Sequence, residues 1–319
     1  MSAPAAPPMA IPIPPNIGAI AGPLVVGYLL HWGLFGVLST QLYIYHIAFP
    51  EDPRGTQALV YGVYIVEFVQ TILFSYTAFN TFAKGFGNMM AIIDESILWF
   101  SVPIMSSAVA MVVQVFYAYR IWKIGESRYV AGVVILLALA QLGGGLATGI
   151  IAHEVVDFTK FLNKRTLIAT GIWNGASALC DVVIAAAMTF YLQKRSTKWS
   201  PTQRVVQKII RLVIETGTLT AVIALINLAL SLLPGQPTYF QATSGILGKM
   251  YSNTMMAVFN SRVAMRLAHS ESSQSGSAGR FESVSRGNNN AYSSRPIVLE
   301  PQRVDFNTNR SHDKISEAF

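Results

Sequence analysis

The chain has 319 residues, of which 52% are hydrophobic and only 12% charged, about half the charged share of an average soluble domain. Residues 267–319 hold 12 of its 39 Asp, Glu, Lys and Arg side chains, so the scarcity belongs to the body and not to the tail. A body so poor in ionic groups cannot cover itself in water, which argues against a soluble enzyme, a nucleic-acid module or a disordered chain and for a body that sits in lipid.

The first sixteen residues contain six prolines and no Lys or Arg, unlike the basic start of a cleavable signal peptide, and are expected to remain as a short extended segment. Beyond them, seven segments supply the roughly 20 apolar residues that a spanning helix needs. They are predicted at Ile17 to Tyr45, Thr56 to Phe82, Ile97 to Ile121, Tyr129 to Ile151, Leu167 to Leu192, Val206 to Leu233 and Thr238 to Met265. The seventh carries Lys249, Ser252, Asn253 and Asn260, so it reads as a helix shielded by its neighbours. Turn residues punctuate the spans: Pro50 to Gly55, Lys84 to Asn88, and Pro234 to Pro237. The fold class is therefore all-α and polytopic, with a seven-helix domain over residues 17–266. From 267 to 319 the chain is rich in Ser, Gly, Asn and Arg and reads as a disordered cytoplasmic tail.

The net charge of +7 falls in short clusters between apolar runs, which act as topology signals. With the amino terminus outside, the outer connections hold four Lys or Arg residues: Lys84, Lys160, Lys164 and Arg165. The inner side then holds eleven, among them Arg120, Lys123 and Arg128, the 194–208 group (Lys194, Arg195, Lys198, Arg204, Lys208), and Arg262 and Arg266. Eleven against four predicts an outside amino terminus and a cytoplasmic tail. The sequon Asn309-Arg310-Ser311 is then expected to be unused. Serines of the tail such as Ser270, Ser283 and Ser293 lie near arginines, where a phosphate would add about −1.5 to −2 charges; a merely solubilising tail is the alternative.

Ionisable groups inside a bilayer cost roughly 2.5–3.5 kcal/mol each and usually face the bundle interior in pairs. Four stand out. At about 1.5 Å per residue, Glu67 lies about 16 Å into span two, Asp181 about 21 Å into span five, Glu215 about 14 Å into span six and Lys249 about 16 Å into span seven. These are the candidate site residues, either as a polar ligand-binding or switching centre or as a structural ion pair, most simply Lys249 with Asp181 or Glu215. Arg211, one turn before Glu215, can pair with it inside one helix; Arg211, Asn253 and Gln114 count as supporting residues.

A lysine in the seventh span invites comparison with retinal proteins, but span three offers no counter-ion carboxylate and span six no aromatic residue, so no cofactor is implied. Gly145 and Gly149 in span four form a Gly-x-x-x-Gly pair suited to close helix packing, and Pro103 with Ser106-Ser107 predicts a local kink in span three. His31 and His46 lack the neighbours of a metal site, and Cys180 is the only cysteine, so no intrachain disulfide can form. Without a nucleophile-base arrangement, zinc spacing or Walker-type loop, no catalytic residues and no enzyme activity are expected.

Several blocks in order resemble a large family of fungal seven-helix membrane proteins known only as carrying a domain of unknown function. They are Thr40 to Tyr45 with Phe49-Pro50-Glu51-Asp52, Gln114 to Trp122, Ala147-Thr148-Gly149, Asp181, Ile214 to Thr220, Lys249 to Thr254, and Phe259 to Arg262. The chain departs from that family at Glu67 and Gln70, where members often have an Asp followed three residues later by a His. The resemblance implies the fold and a membrane location and brings no substrate or catalytic residue. The expected function is that of a multi-pass integral protein of the plasma or an internal membrane, receptor-like or sensory. Its expected partners are the lipid bilayer and a cytoplasmic signalling protein met through residues 194–208 and the tail, with no nucleic acid. A transporter of small or lipid-like molecules and a structural membrane protein are the alternatives.

Overall fold

The computed structural model describes residues 15–93, 97–154, 164–196, 200–232 and 237–285, all of them helical or in helix connections. Helix α1 covers Ile17–Ala48 and α2 Arg54–Phe79, the latter continued by a π-helical turn at Asn80–Lys84. A short α3, Met89–Ile93, follows, and a second π-helical turn, Phe100–Ile104, leads into α4, Met105–Gly125. Then come α5 (Arg128–Glu154), α6 (Lys164–Ser196), α7 (Ser200–Leu232) and α8 (Pro237–Ser285). Among the described residues, five helical stretches are long and apolar enough to cross a membrane: α1, α2 with its π-helical turn, α4 with the turn before it, α5 and α6. Helix α7 has only Gly217–Leu230 as a shorter apolar stretch.

Each boundary has a local cause. Pro53 immediately precedes α2, where a residue without an N–H costs no hydrogen bond. The preceding turn is tied down from both sides. The Tyr45 hydroxyl donates to Asp52 Oδ2 at 3.0 Å, and the Gln57 amide donates to the Pro50 and Asp52 carbonyls, each at 3.0 Å. Glu126 adopts φ 55° and closes α4 by donating its N–H to the Trp122 carbonyl, so α5 can start two residues later. Pro103 lies inside the second π-helical turn, consistent with the kink expected there.

Two helix ends lie beyond the predicted span ends. The basic 194–208 connection is mostly helix, because α6 runs to Ser196 and α7 begins at Ser200 with Pro201 in its first turn; only 197–199 lie outside the described residues. Helix α8 continues to Ser285, into the segment expected to be disordered, with no proline after Pro237 to interrupt the backbone ladder before that point. The chain divides into two compact units, Met1–Asn260 and Ser261–Phe319, a boundary six residues before the expected one. The Pro-rich start (1–14), Lys160, Lys198, the tail serines beyond 285 and the sequon fall outside the described residues.

The first unit is apolar outside, and its interior mixes an apolar core with many polar side chains. Leu29 and Leu136 are each 68% exposed, and Ile47, Ile65, Phe190 and Val182 also face outward. Buried positions include His31, Glu67, Gln70, Gln114, Gln141, Asn174, Asp181, Asn227 and Lys249. That inversion is what lipid as the outer solvent requires. Helix α6 packs against α4, α5 and α7, and α1 against α2. Up to Asn260, α8 is almost wholly interior, with Ser244, Leu247, Lys249, Tyr251, Ser252, Met255, Met256, Val258 and Phe259 buried.

Close approach between helices is bought with missing side chains. A Cβ added at Gly27 of α1 would lie 2.9 Å from Ala242 Cα of α8. On α5, a Cβ at Gly144 would meet the Trp173 backbone nitrogen at 2.5 Å, and one at Gly149 would meet Ile104 Cγ1 at 2.6 Å.

Candidate functional site

The polar interior resolves into separate centres. In the first, α2 and α8 meet at Glu67 and Lys249, both completely buried. Lys249 Nζ lies 2.5 Å from Glu67 Oε2 and also donates to the Glu67 backbone carbonyl at 2.6 Å. The Ser252 hydroxyl, one turn along α8, donates to the other carboxylate oxygen, Oε1. The ammonium also sits 5.1 Å from the centre of the Phe35 ring, a cation–π contact from α1. Both carboxylate oxygens and the ammonium therefore have partners, and the two charges cancel. Above the pair, His31 stacks on Phe74 with ring centres 4.2 Å apart, and its Nδ1 faces the Gly245 carbonyl at 2.9 Å. Gln70 donates to the Ser101 carbonyl (2.6 Å) and to the Ser106 hydroxyl (3.0 Å) near the second π-helical turn. Asn253 donates to the Leu34 carbonyl of α1 at 3.1 Å.

The expected partner of Lys249 is thus corrected. It binds Glu67 and neither Asp181 nor Glu215. Sequence spacing cannot reveal which faces of two helices 182 residues apart in sequence turn toward each other, whereas the tertiary packing of α2 on α8 decides it. Glu215 is corrected a second time, because it is not part of any central cluster. It lies on an outward face of α7, paired with Arg211 Nε at 2.6 Å, with side chains 58% and 80% exposed. The pair falls just before the apolar stretch Gly217–Leu230, so the charged half of α7 precedes the part suited to hydrocarbon.

The second centre surrounds Asp181 on α6, which is 5% exposed. Three helices donate to its carboxylate. Gln114 of α4 reaches Oδ1 at 3.2 Å, while Thr220 of α7 and Tyr251 of α8 reach Oδ2 at 2.8 and 2.7 Å. Ser177 Oγ lies 2.6 Å from the Tyr251 hydroxyl and extends the chain of donors. Among the described residues no Lys, Arg or His forms an ion pair with Asp181. A small cavity of about 20 Å³ opens beside it, bounded by Gln114, Tyr117, Asp181, Thr220, Tyr251 and Thr254 with an apolar wall from Ile184, Ala185 and Gly217.

A third, fully neutral network links α6, α7 and α8. The Asn227 amide donates to Asn174 Oδ1 at 3.0 Å, and Asn227 Oδ1 accepts from Thr243 (2.6 Å) and Ser244 (2.9 Å). Nearer one end of the unit lies a crevice of about 30 Å³ lined by Leu98, Trp99, Pro103, Trp173 and Phe240 among others.

Sequence reasoning singled out Glu67, Asp181 and Lys249 by their charge, but passed over Thr220, Tyr251 and Tyr117 because neutral hydroxyls are common in spanning helices. The signal for Tyr251 and Ser252 was their place beside Lys249 in one helical turn. Among the described residues no group of three or more His, Cys, Asp and Glu side chains could hold a metal ion.

Comparison with known proteins gives a narrow result. Residues 177–264 match the family described as "Family of unknown function (DUF6534)", a region that contains Asp181, Thr220, Lys249 and Tyr251 but neither Glu67 nor Gln114. No curated protein and no solved structure matches the chain. The chain is therefore a helical, apolar bundle with the character of a multi-pass membrane protein, and over α6 to α8 it is similar to a family of unknown function.

Proposed function

We propose that this protein is a seven-span membrane protein of the fungal family it resembles, with its amino terminus outside and its tail in the cytoplasm. In this reading it acts as a receptor-like sensor whose switch is the Asp181 centre. One observation carries it: the buried Asp181 carboxylate, which forms no ion pair among the described residues, holds α4, α7 and α8 to α6 through Gln114, Thr220 and Tyr251. Hydrogen bonds to a charged group contribute about 1.5–3 kcal/mol each. Three of them match the scale of the roughly 5.5 kcal/mol that moves a two-state equilibrium from 1:99 to 99:1. Any change in the charge state of Asp181 therefore acts on four helices at once. Glu67 and Lys249, whose charges already cancel, form the fixed frame against which that change occurs. In this reading the basic run from Lys194 to Lys208 is the segment that a cytoplasmic partner recognises.

A transporter of small or lipid-like molecules is the second reading, favoured by the π-helical turn Phe100–Ile104, whose Val102 and Pro103 line the aromatic crevice; interrupted helices are common at transport sites. The two readings and a purely structural role separate in one comparison. Hydrogen exchange is measured on the wild type and on Asp181→Asn in lipid nanodiscs. A sensor changes protection around residues 190–210, about 20 Å along α6 from Asp181. A change confined to the turns touching Asp181 marks a structural role, and translocation of a fluorescent phospholipid in proteoliposomes marks transport.

A further inference from the structure

The three donors around Asp181 differ in what else each can bond to. Gln114 of α4 donates to Oδ1, while Thr220 of α7 and Tyr251 of α8 both donate to Oδ2. Thr220 has a second acceptor within reach, because its hydroxyl also lies 3.1 Å from the Gly217 carbonyl of its own helix. Tyr251 has one too: its hydroxyl is 2.6 Å from Ser177 Oγ of α6, in a contact where either oxygen can donate. Hydroxyl hydrogens turn freely to suit their partners, so the same heavy atoms hold two hydrogen-bond arrangements. In the first, Asp181 is ionised and accepts from all three helices. In the second it is neutral, with the proton on Oδ2; on Oδ1 a proton would meet the Gln114 N–H, donor against donor, unless that amide turned over. The Oδ2–H donates to the Tyr251 oxygen, the Tyr251 O–H turns to Ser177, and Gln114 keeps its bond to Oδ1. Only Thr220 loses its carboxylate acceptor, and its hydrogen goes to the Gly217 carbonyl. Helices α4 and α8 thus stay tied to α6 in both arrangements, whereas the Thr220 tie of α7 belongs to the ionised one.

We propose that Asp181 takes up a proton and that this uptake releases the part of α7 before Thr220 from α6. The inference rests on the sensor reading and deepens it, naming the proton as the stimulus and α7 as the element that moves. The proton comes from hydronium and forms one O–H bond on Oδ2, leaving water; nothing is oxidised or reduced. The rest of α7 stays anchored in both forms. Asn227, about 10 Å along the helix from Thr220, bonds to Asn174 of α6 and to Thr243 and Ser244 of α8, and none of these groups titrates. The charged and titratable groups on the surrounding helices do not take the role of Asp181. On α4, Tyr117 is buried, and Arg120, about 9 Å along the helix from Gln114, keeps its charge at every accessible pH. On α6, Cys180 donates to the Val134 carbonyl of α5 at 3.6 Å, and α5 has ionisable side chains only at its ends. Arg211 and Glu215 of α7 pair on an exposed face, and Lys249 of α8 is held by Glu67.

The test uses the full chain in lipid nanodiscs at pH 8 and pH 5. Infrared difference spectra read the carboxylic acid band of Asp181, which should appear between the two pH values in the wild type and be missing in Asp181→Asn. Hydrogen exchange is compared between the wild type and Asp181→Asn at each pH, which cancels the effect of pH on the exchange chemistry. At pH 8 the wild type should be about tenfold better protected over residues 211–218, the scale of one hydrogen bond to a charged group, and at pH 5 the two proteins should coincide. Residues 224–232 should match at both. Thr220→Val removes a donor that favours the ionised form, so it should raise the midpoint of the band by about one pH unit; this variant carries the test even where Asp181→Asn does not fold. No carboxylic acid band between pH 8 and pH 5, a midpoint that Thr220→Val leaves in place, or a loss of protection shared equally by α4 and α8 would each overturn the proposal. Release over 211–218 with residues 190–210 unchanged keeps the proton switch and removes the sensor. A change at 190–210 without titration of Asp181 keeps the sensor and removes the proton.

Discussion

Glu67 and Lys249 show how a charge becomes affordable inside a bundle. The ammonium has the carboxylate, a backbone carbonyl and the Phe35 ring around it, and Ser252 occupies the remaining carboxylate oxygen. Removing one partner leaves the other charge buried and uncompensated. Lys249→Met should therefore lower unfolding stability by about 3–5 kcal/mol, whereas Glu67→Met combined with Lys249→Met should recover most of the loss; both are read from detergent unfolding curves. Failure of the double variant to recover would mean that the pair serves more than charge cancellation. The Arg211 and Glu215 pair makes the opposite case. Both side chains are exposed on one helix face, and Arg211→Gln should leave Tm unchanged within error. Four charged residues looked alike by their depth in the predicted spans, yet they divide into a closed interior pair, a carboxylate held by neutral donors and an outward-facing residue. Depth along a helix is legible in sequence, but azimuth around it is not, unless hydrophobic periodicity marks a face. In a span that is apolar on every side it does not.

Among the elements, α5 shows this most directly, because four of its five glycines, Gly143, Gly144, Gly145 and Gly149, differ only in what they face. Gly144 abuts the Trp173 backbone of α6, while Gly145 abuts Ser107 of α4 and Gly149 abuts Ile104 in the π-helical turn before it. Gly143 faces open space with nothing within 4 Å. Gly144→Ala should be the most destabilising, because a backbone atom cannot move aside as Ile104 can; overpacking costs about 1–3 kcal/mol. Gly143→Ala should be neutral or stabilising by up to about 1 kcal/mol, the difference in helix propensity. Comparing the four variants by thermal melting checks the order, and equal losses at 143 and 144 would contradict it. The Gly-x-x-x-Gly spacing predicted close packing at 145 and 149, but only the fold adds Gly144 and names the partners. Helix α8 gives the complementary lesson. Its polar residues keep it outside the helices apolar enough to cross a membrane by composition, and the structure shows why it tolerates them: up to Asn260 it lies among other helices, which supply Glu67, Asp181 and the Leu34 carbonyl as partners.

For the whole molecule, the proposed topology follows from loop charge, which acts during insertion and is independent of how the helices pack. A protease added to intact cells should spare a tag placed after Phe319 and cleave one placed before Met1. Cleavage at the carboxyl terminus would reverse the orientation and with it the assignment of the 194–208 surface to the cytoplasm. The match to a family of unknown function covers α6, α7 and the first part of α8, the elements that carry Asp181, Thr220 and Tyr251, while Gln114 on α4 lies outside it.

By itself the sequence determined the all-helical class, the membrane as solvent and the approximate ends of the long helices other than the carboxyl end of α8, because each of these depends on local composition and on turn residues such as Pro50, Pro53 and Pro237. It also marked Glu67, Asp181 and Lys249 as costly and therefore informative. Only the tertiary structure decided that Lys249 belongs to Glu67, that Glu215 faces outward, and that Asp181 is held by hydrogen-bond donors from three other helices. Those outcomes depend on which helix faces turn toward each other, a property of the packed bundle that no single helix carries in its own residues.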